Sequence, residues 1–170
     1  MNAKVVAIVL AWVTLTQAVI AMAGDLSPME GSFVAVGDKD IARAWLAQPT
    51  GRYPHGVFGD EVEAGTLVVE TAAGAQHAYR LDDGSVFEDV SPRLADLDAD
   101  GRDEVWTMRS DFFAGARLEA YGLQDGKLVR QFAADPIGLG FRWLNPIGVA
   151  DFDGDGVREA AYVQTPHIGG

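Results

Sequence analysis

One acidic pattern occurs twice in the chain, and the distance between its copies constrains the fold more than any other feature. Leu94-Ala95-Asp96-Leu97-Asp98-Ala99-Asp100-Gly101 recurs 55 positions later as Val149-Ala150-Asp151-Phe152-Asp153-Gly154-Asp155-Gly156. A second stretch, Ala78-Tyr79-Arg80-Leu81-Asp82-Asp83-Gly84-Ser85-Val86, recurs 42 positions later as Ala120-Tyr121-Gly122-Leu123-Gln124-Asp125-Gly126-Lys127-Leu128. Such self-similarity marks an array of supersecondary units, each too small to bury its apolar face alone. The offsets differ by 13 residues, which places an insertion around Ile137–Leu144. The unit so defined runs acidic loop, strand, strand, Asp-Gly hairpin, strand.

Beyond residue 48 no stretch sustains a helical period. Ile41–Ala47 suits a short helix or a strand, and Pro49 and Gly51 end it. Short β-rich segments follow, among them Thr66–Glu70, Glu104–Met108, Arg117–Tyr121 and Ala160–Val163, punctuated by Gly, Pro and Asp. Asp83-Gly84 and Asp125-Gly126 are hairpin cues. The pattern is all-β. A unit of this length with about four short strands has the size of a propeller blade. The expected architecture is a β-propeller-like array of four-stranded blades, incomplete at two to three blades. At the 55-residue offset Thr165–Gly170 matches the connector Ser110–Gly115, so the third unit is expected to be truncated.

Charge narrows the function. There are 25 acidic and 13 basic residues, a formal charge of −12 and a sequence pI near 4.4, which gives no footprint for a nucleic-acid backbone. Cysteine is absent, so disulfides, thiolate metal sites and cysteine nucleophiles are excluded. With 48% apolar residues the chain is built to form a core. Residues 1–23 have the form of a signal peptide: Lys4, the apolar run Val5–Leu15, and the small-x-small site Ala21-Met22-Ala23. Thr14, Thr16 and Gln17 interrupt the run too early for a membrane span. The expected organisation is signal peptide 1–23, lead-in 24–53 and blades 54–170, in a secreted or periplasmic protein with no membrane span after cleavage.

The acidic loops, 96–104 and 151–159, share the pattern D-x-D-x-D-G-x-x-E: Asp96, Asp98, Asp100, Gly101, Glu104, and Asp151, Asp153, Asp155, Gly156, Glu159. Alternate carboxylates of a tight loop aim at one point, as calcium with its six to eight oxygens requires. Glycine at the sixth place permits the sharp turn. The seventh residues, Arg102 and Val157, are expected to contribute backbone oxygens. An EF-hand needs Glu at the twelfth place, where this chain has Thr107 and Tyr162, and its exiting helix is replaced by strand-like segments. With a Glu ninth residue and β flanks, the loops resemble those of the FG-GAP/VCBS repeat family of integrin-like propellers, over residues 93–109 and 146–163. The family carries Asp more often at the ninth place. The resemblance implies that each loop joins the first two strands of a blade. It also implies that the first, third, fifth and ninth side chains hold calcium. The first unit, with Asp60-Glu61-Val62-Glu63, lacks the alternation and the glycine and is expected to be metal-free.

No nucleophile elbow, phosphate loop or H-E-x-x-H motif occurs, and Gly138-Leu139-Gly140 lacks the third glycine of a dinucleotide fingerprint. His55, His77 and His167 are isolated and suit turns or surface. The sequence therefore points to an exported protein with structural calcium that binds or scaffolds an unidentified protein or carbohydrate, and not to an enzyme. The alternative is a propeller-class lyase or hydrolase in which calcium organises an anionic substrate. The insertion, with Phe141 and Trp143, is expected to be an exposed loop that folding can spare and a partner uses.

Overall fold

The computed structural model describes residues 24–156 and 158–164. The signal-like segment 1–23, Val157 and the connector 165–170 lie outside the described residues. Eleven strands and no helix occur among those described. They are β1 (Ala35–Val36), β2 (Ile41–Thr50), β3 (Glu63–Thr71), β4 (Gln76–Arg80), β5 (Ser85–Phe87), β6 (Arg93–Ala95), β7 (Glu104–Asp111), β8 (Gly115–Gln124), β9 (Lys127–Ala133), β10 (Leu144–Ala150) and β11 (Glu159–Gln164). The all-β expectation is met, and Ile41–Ala47 is strand. Nine strands form one antiparallel sheet that does not close into a barrel, and β10 and β11 form a separate pair. No described helix is long and apolar enough to cross a membrane.

Two antiparallel meanders run in succession, β1-β2-β3-β4 and β6-β7-β8-β9, and β10-β11 repeats the opening pair. Residues 24–53, read from the sequence as a lead-in, supply β1 and β2. Short β5 straps the meanders together, pairing Phe87 with Ala64 of β3 and Ser85–Phe87 with β7. Asp125 and Gly126 take φ of 50° and 71°, the double positive turn that matches strand twist, and they close the β8–β9 hairpin between Gln124 and Lys127. Asp83-Gly84 closes no hairpin. Asp82 Oδ1 accepts the Gly84 N–H at 3.2 Å and the Ser85 hydroxyl at 2.9 Å, which turns the chain from β4 into β5 instead. The 42-residue similarity consequently aligns β4 with β8, whereas topology makes β9 the counterpart of β4.

Period-2 alternation sends successive side chains of β7 to opposite faces of the sheet. On β7, Val105 joins the core formed with Ile41, Leu46, Leu67 and Val69 of the first meander. Its neighbours Trp106 and Met108 face the opposite way, into a core with Leu118 and Leu144. Both faces of β7 are thus covered, one by each neighbouring layer. Burial of Glu119 at the same centre requires compensation. Its Oε1 accepts from Arg109 at 3.2 Å, Arg117 at 2.7 Å and Arg130 at 3.1 Å, and the Tyr121 hydroxyl donates to Oε2.

The insertion is seated on the sheet and is not a spare loop. Gly115, at φ +76°, lies so close beneath it that a Cβ would stand 2.0 Å from the Leu139 carbonyl oxygen. Ile137 and Gly138 donate backbone hydrogen bonds to the Ala116 and Ala114 carbonyls, and Leu144 is 1% exposed. Phe141 stacks on the buried Tyr53 with centroids 4.7 Å apart and donates its N–H to the Tyr53 hydroxyl oxygen at 2.7 Å. The aromatics expected to await a partner are therefore engaged in part by the fold: Phe141 on Tyr53, and Trp143 edge-on to Phe58 with centroids 5.4 Å apart.

Replacing Glu119 by Ala leaves three guanidinium groups crowded around an emptied buried site. The substitution is expected to destabilise by about 3–5 kcal/mol. A lower urea midpoint with an unchanged slope checks this.

Candidate metal centre

The two acidic loops sit between paired strands, and the ladder fixes their ends. Ala95 pairs with Glu104 across β6–β7, and Ala150 pairs with Glu159 across β10–β11. The ninth residue of each loop is thereby held opposite the residue before its first, and the carboxylates between cannot spread apart. Inside, the loops are built alike. The ninth Glu accepts the N–H of the second residue in both, Leu97 and Phe152, at 2.8 Å. The third Asp accepts the N–H of the fifth residue at 3.1 Å in both. The first Asp accepts the N–H of the sixth-place glycine, at 3.1 Å for Asp96 with Gly101 and 3.0 Å for Asp151 with Gly156. Those glycines have φ of 88° and 91°, where a side chain is costly.

In the second loop one carboxylate oxygen from each of Asp151, Asp153, Asp155 and Glu159 lies within 4.8 Å of the others. All four side chains expected from the sequence converge, and Val157 falls outside the described residues. The first loop gathers Asp96, Asp98 and Glu104 in the same way. Asp100 is not in that group. Its Oδ2 instead accepts from the Arg102 guanidinium, at 3.0 Å from Nε and 2.9 Å from Nη2, and Arg102 also reaches the Leu123 carbonyl. The expected role of Arg102, a backbone oxygen, leaves its side chain free for that ion pair.

The electrostatics differ between the members. Burial pushes the Glu104 carboxyl up, with the Asp98, Asp100 and Asp96 charges adding to the effect. The Lys39 ammonium, 2.6 Å from Asp96 Oδ2, holds the Asp96 carboxyl below the usual range. Asp96 Oδ1 is buried without a hydrogen-bond partner, an orphaned acceptor on a member of the cluster. An acceptor-only set with such an orphan fits a hard cation. Lys39 was not singled out in the sequence. The one available signal is that Gly37-Asp38-Lys39-Asp40 precedes Ile41 as the acidic loop precedes Val105. The β1–β2 connection thus occupies in the first meander the place that Asp60–Glu63 was expected to hold.

A second group of acids is buried between β3, β5 and β7 without forming such a cluster. Glu88, fully buried, pairs with His55 Nδ1 and accepts the Ser110 hydroxyl. His55 is therefore no simple surface residue, while His77 is half-buried in β4 and His167 lies outside the described residues. Glu63 is 3% exposed and pushed up to about 8, first by burial and then by the Glu88, Asp60 and Asp89 charges. The unfolded chain releases this proton near the ordinary carboxylate value, whereas the folded chain keeps it to about 8. Stability is therefore expected to fall as pH rises from about 4.5 through 8. Glu63→Gln should flatten that slope and raise the melting temperature at pH 8, as thermal melts across the range would show.

Comparison of the chain with protein-family models, with curated proteins and with solved structures gave no match.

Proposed function

We propose that the chain is an exported calcium-binding repeat protein of FG-GAP/VCBS type, in which calcium is structural and the blades bind or scaffold a partner. The observation that carries this reading is the shared geometry of the loops: the same internal hydrogen bonds, and carboxylates drawn within 4.8 Å in both. Oxygen-only donor sets select hard cations. Four gathered carboxylates in the second loop and three in the first, with the backbone oxygen expected at the seventh place, suit the larger, irregular shell of calcium better than the tight octahedron of magnesium. Each set comes from a single loop between two paired strands, so an ion there ties strand to strand. That is a structural role. The blade reading is supported by the order of pairing, in which the acidic loops join β6 to β7 and β10 to β11, the opening strands of their units. Export rests on the signal-like segment. The partner is a protein or a carbohydrate, and Phe113, 88% exposed beside the insertion, offers it an aromatic contact.

Calcium is expected to raise the melting temperature, since binding to the folded form stabilises by about 2.7 kcal/mol per site at a hundredfold excess over Kd. Asp98→Ala and Asp153→Ala should each lose about one ion in calorimetric titration, and the double variant most of the thermal shift. Magnesium should give a much smaller shift. A folded chain that takes up no calcium would overturn the proposal.

A further inference from the structure

The two loops differ in the cations the fold itself brings to them. In the first loop, Lys39 Nζ lies 2.6 Å from Asp96 Oδ2 and 4.0 Å from Asp103 Oδ1. Asp96 Oδ2 is the oxygen that also accepts the Gly101 N–H, and its counterpart on Asp151 accepts the Gly156 N–H. The ammonium therefore sits on the first ligand of the loop. A second side chain of the same loop, Asp100, is paired with Arg102. In the second loop all four carboxylates remain gathered. Asp151, Asp153 and Glu159 there make no ion pair among the described residues.

Lys39 is not a loose surface cation that happens to reach the loop. Its turn is pressed against β6, where a Cβ on Gly37 would stand 2.3 Å from the Ile41 carbonyl oxygen and 2.9 Å from Leu94 Cδ1. Asp40 Oδ1 accepts the Asp103 N–H at 2.9 Å, which fixes the far end of the turn to the end of the acidic loop. Pairing of Val36 with Arg43 holds its base. The ammonium is thus delivered from the first meander to the acidic loop of the second by a braced element. Beside the pair opens a cleft of about 250 Å³, lined by Lys39, Asp96 and Asp98 and by Gly156 and Arg158 of the second loop.

A metal ion on the partnerless Asp96 Oδ1 and the Lys39 ammonium on Oδ2 would share one carboxylate, where like charges repel strongly and a divalent ion doubles the repulsion. We infer that Lys39 is a tethered competitor for the first loop, so that the loops fill in order. Loop 151–159 takes metal first, and loop 96–104 takes it only where metal displaces the Lys39 ammonium from Asp96. Below that concentration the ammonium neutralises Asp96 and holds the first two meanders together. Above it the metal takes over the loop and the β1–β2 turn loses its ionic tie. The inference rests on the metal reading above and deepens it by giving one loop a graded response.

The test is calcium titration of the full chain by calorimetry, with the second loop silenced by Asp153→Ala. Adding Lys39→Met should tighten the remaining site by about tenfold or more. Lys39→Arg, which keeps the charge, should leave it within about threefold. Lys39→Gln repeats the measurement should the Met variant fold poorly, and the expected tightening is the same. With both loops intact, the unsubstituted chain should show two separated binding steps. Removal of the Lys39 charge without tightening, or two equal steps in the unsubstituted chain, would overturn the inference and leave the metal reading standing. Absence of any calcium uptake by the folded, unsubstituted chain would overturn both.

Discussion

Cross-strand pairing on either side of a nine-residue acidic loop is the constraint on which the rest of this structure depends. Ala95 opposite Glu104 and Ala150 opposite Glu159 set the distance between the loop ends by the ladder, not by the preference of the acids. Carboxylates confined in this way repel, and the fold meets the repulsion with positive charge. Part of that charge is internal. Backbone N–H groups turn inward onto Asp96, Asp98 and Glu104, and Lys39 and Arg102 pair with Asp96 and Asp100. What they leave over, including the partnerless Asp96 Oδ1, is the demand that a bound cation would meet.

The same ladder explains why the loops stand where they do relative to the core. β7 carries Val105 into one apolar layer and Trp106 and Met108 into the next, so the strand leaving the first loop is enclosed on both faces. Events at the loop are therefore mechanically close to both cores. Arg93 adds a bond across the same region, its guanidinium 5.1 Å from the Trp106 ring centroid and 2.7 Å from Asp89. The buried Glu119, with its three arginines, stands opposite Thr107 of β7. Glu119 is tolerated at this depth because several partners answer it.

The loops were legible in the sequence because their chemistry is local. Alternating acids and one glycine specify a turn whose hydrogen bonds run within nine residues, and the strands on either side declare themselves by β-rich composition. Seven of the eight carboxylates expected from the pattern do gather, and the eighth, Asp100, is claimed by a side chain two places along. What failed was inference across longer distances. The Asp-Gly pair at 83–84 looks like the one at 125–126, but the Asp82 side chain directs the first into a crossing and not a hairpin. Lys39 was silent because its partner lies 57 residues away and nothing local marks a lone lysine in a short turn. The insertion resembled an exposed loop because insertions between matching repeats usually map to one. In the fold Gly115 and Gly140 are points of close approach, where a Cβ would meet backbone at 2.0 Å and 1.9 Å.

The most direct test of the central claim is to locate the ion. Crystals of the chain grown with calcium, or with a lanthanide as its stand-in, would be measured for anomalous scattering. The account predicts a peak about 2.3–2.6 Å from carboxylate oxygens of Asp151, Asp153, Asp155 and Glu159, and a second among Asp96, Asp98 and Glu104 at higher metal concentration. Ordered acidic loops with no peak at millimolar metal would contradict it.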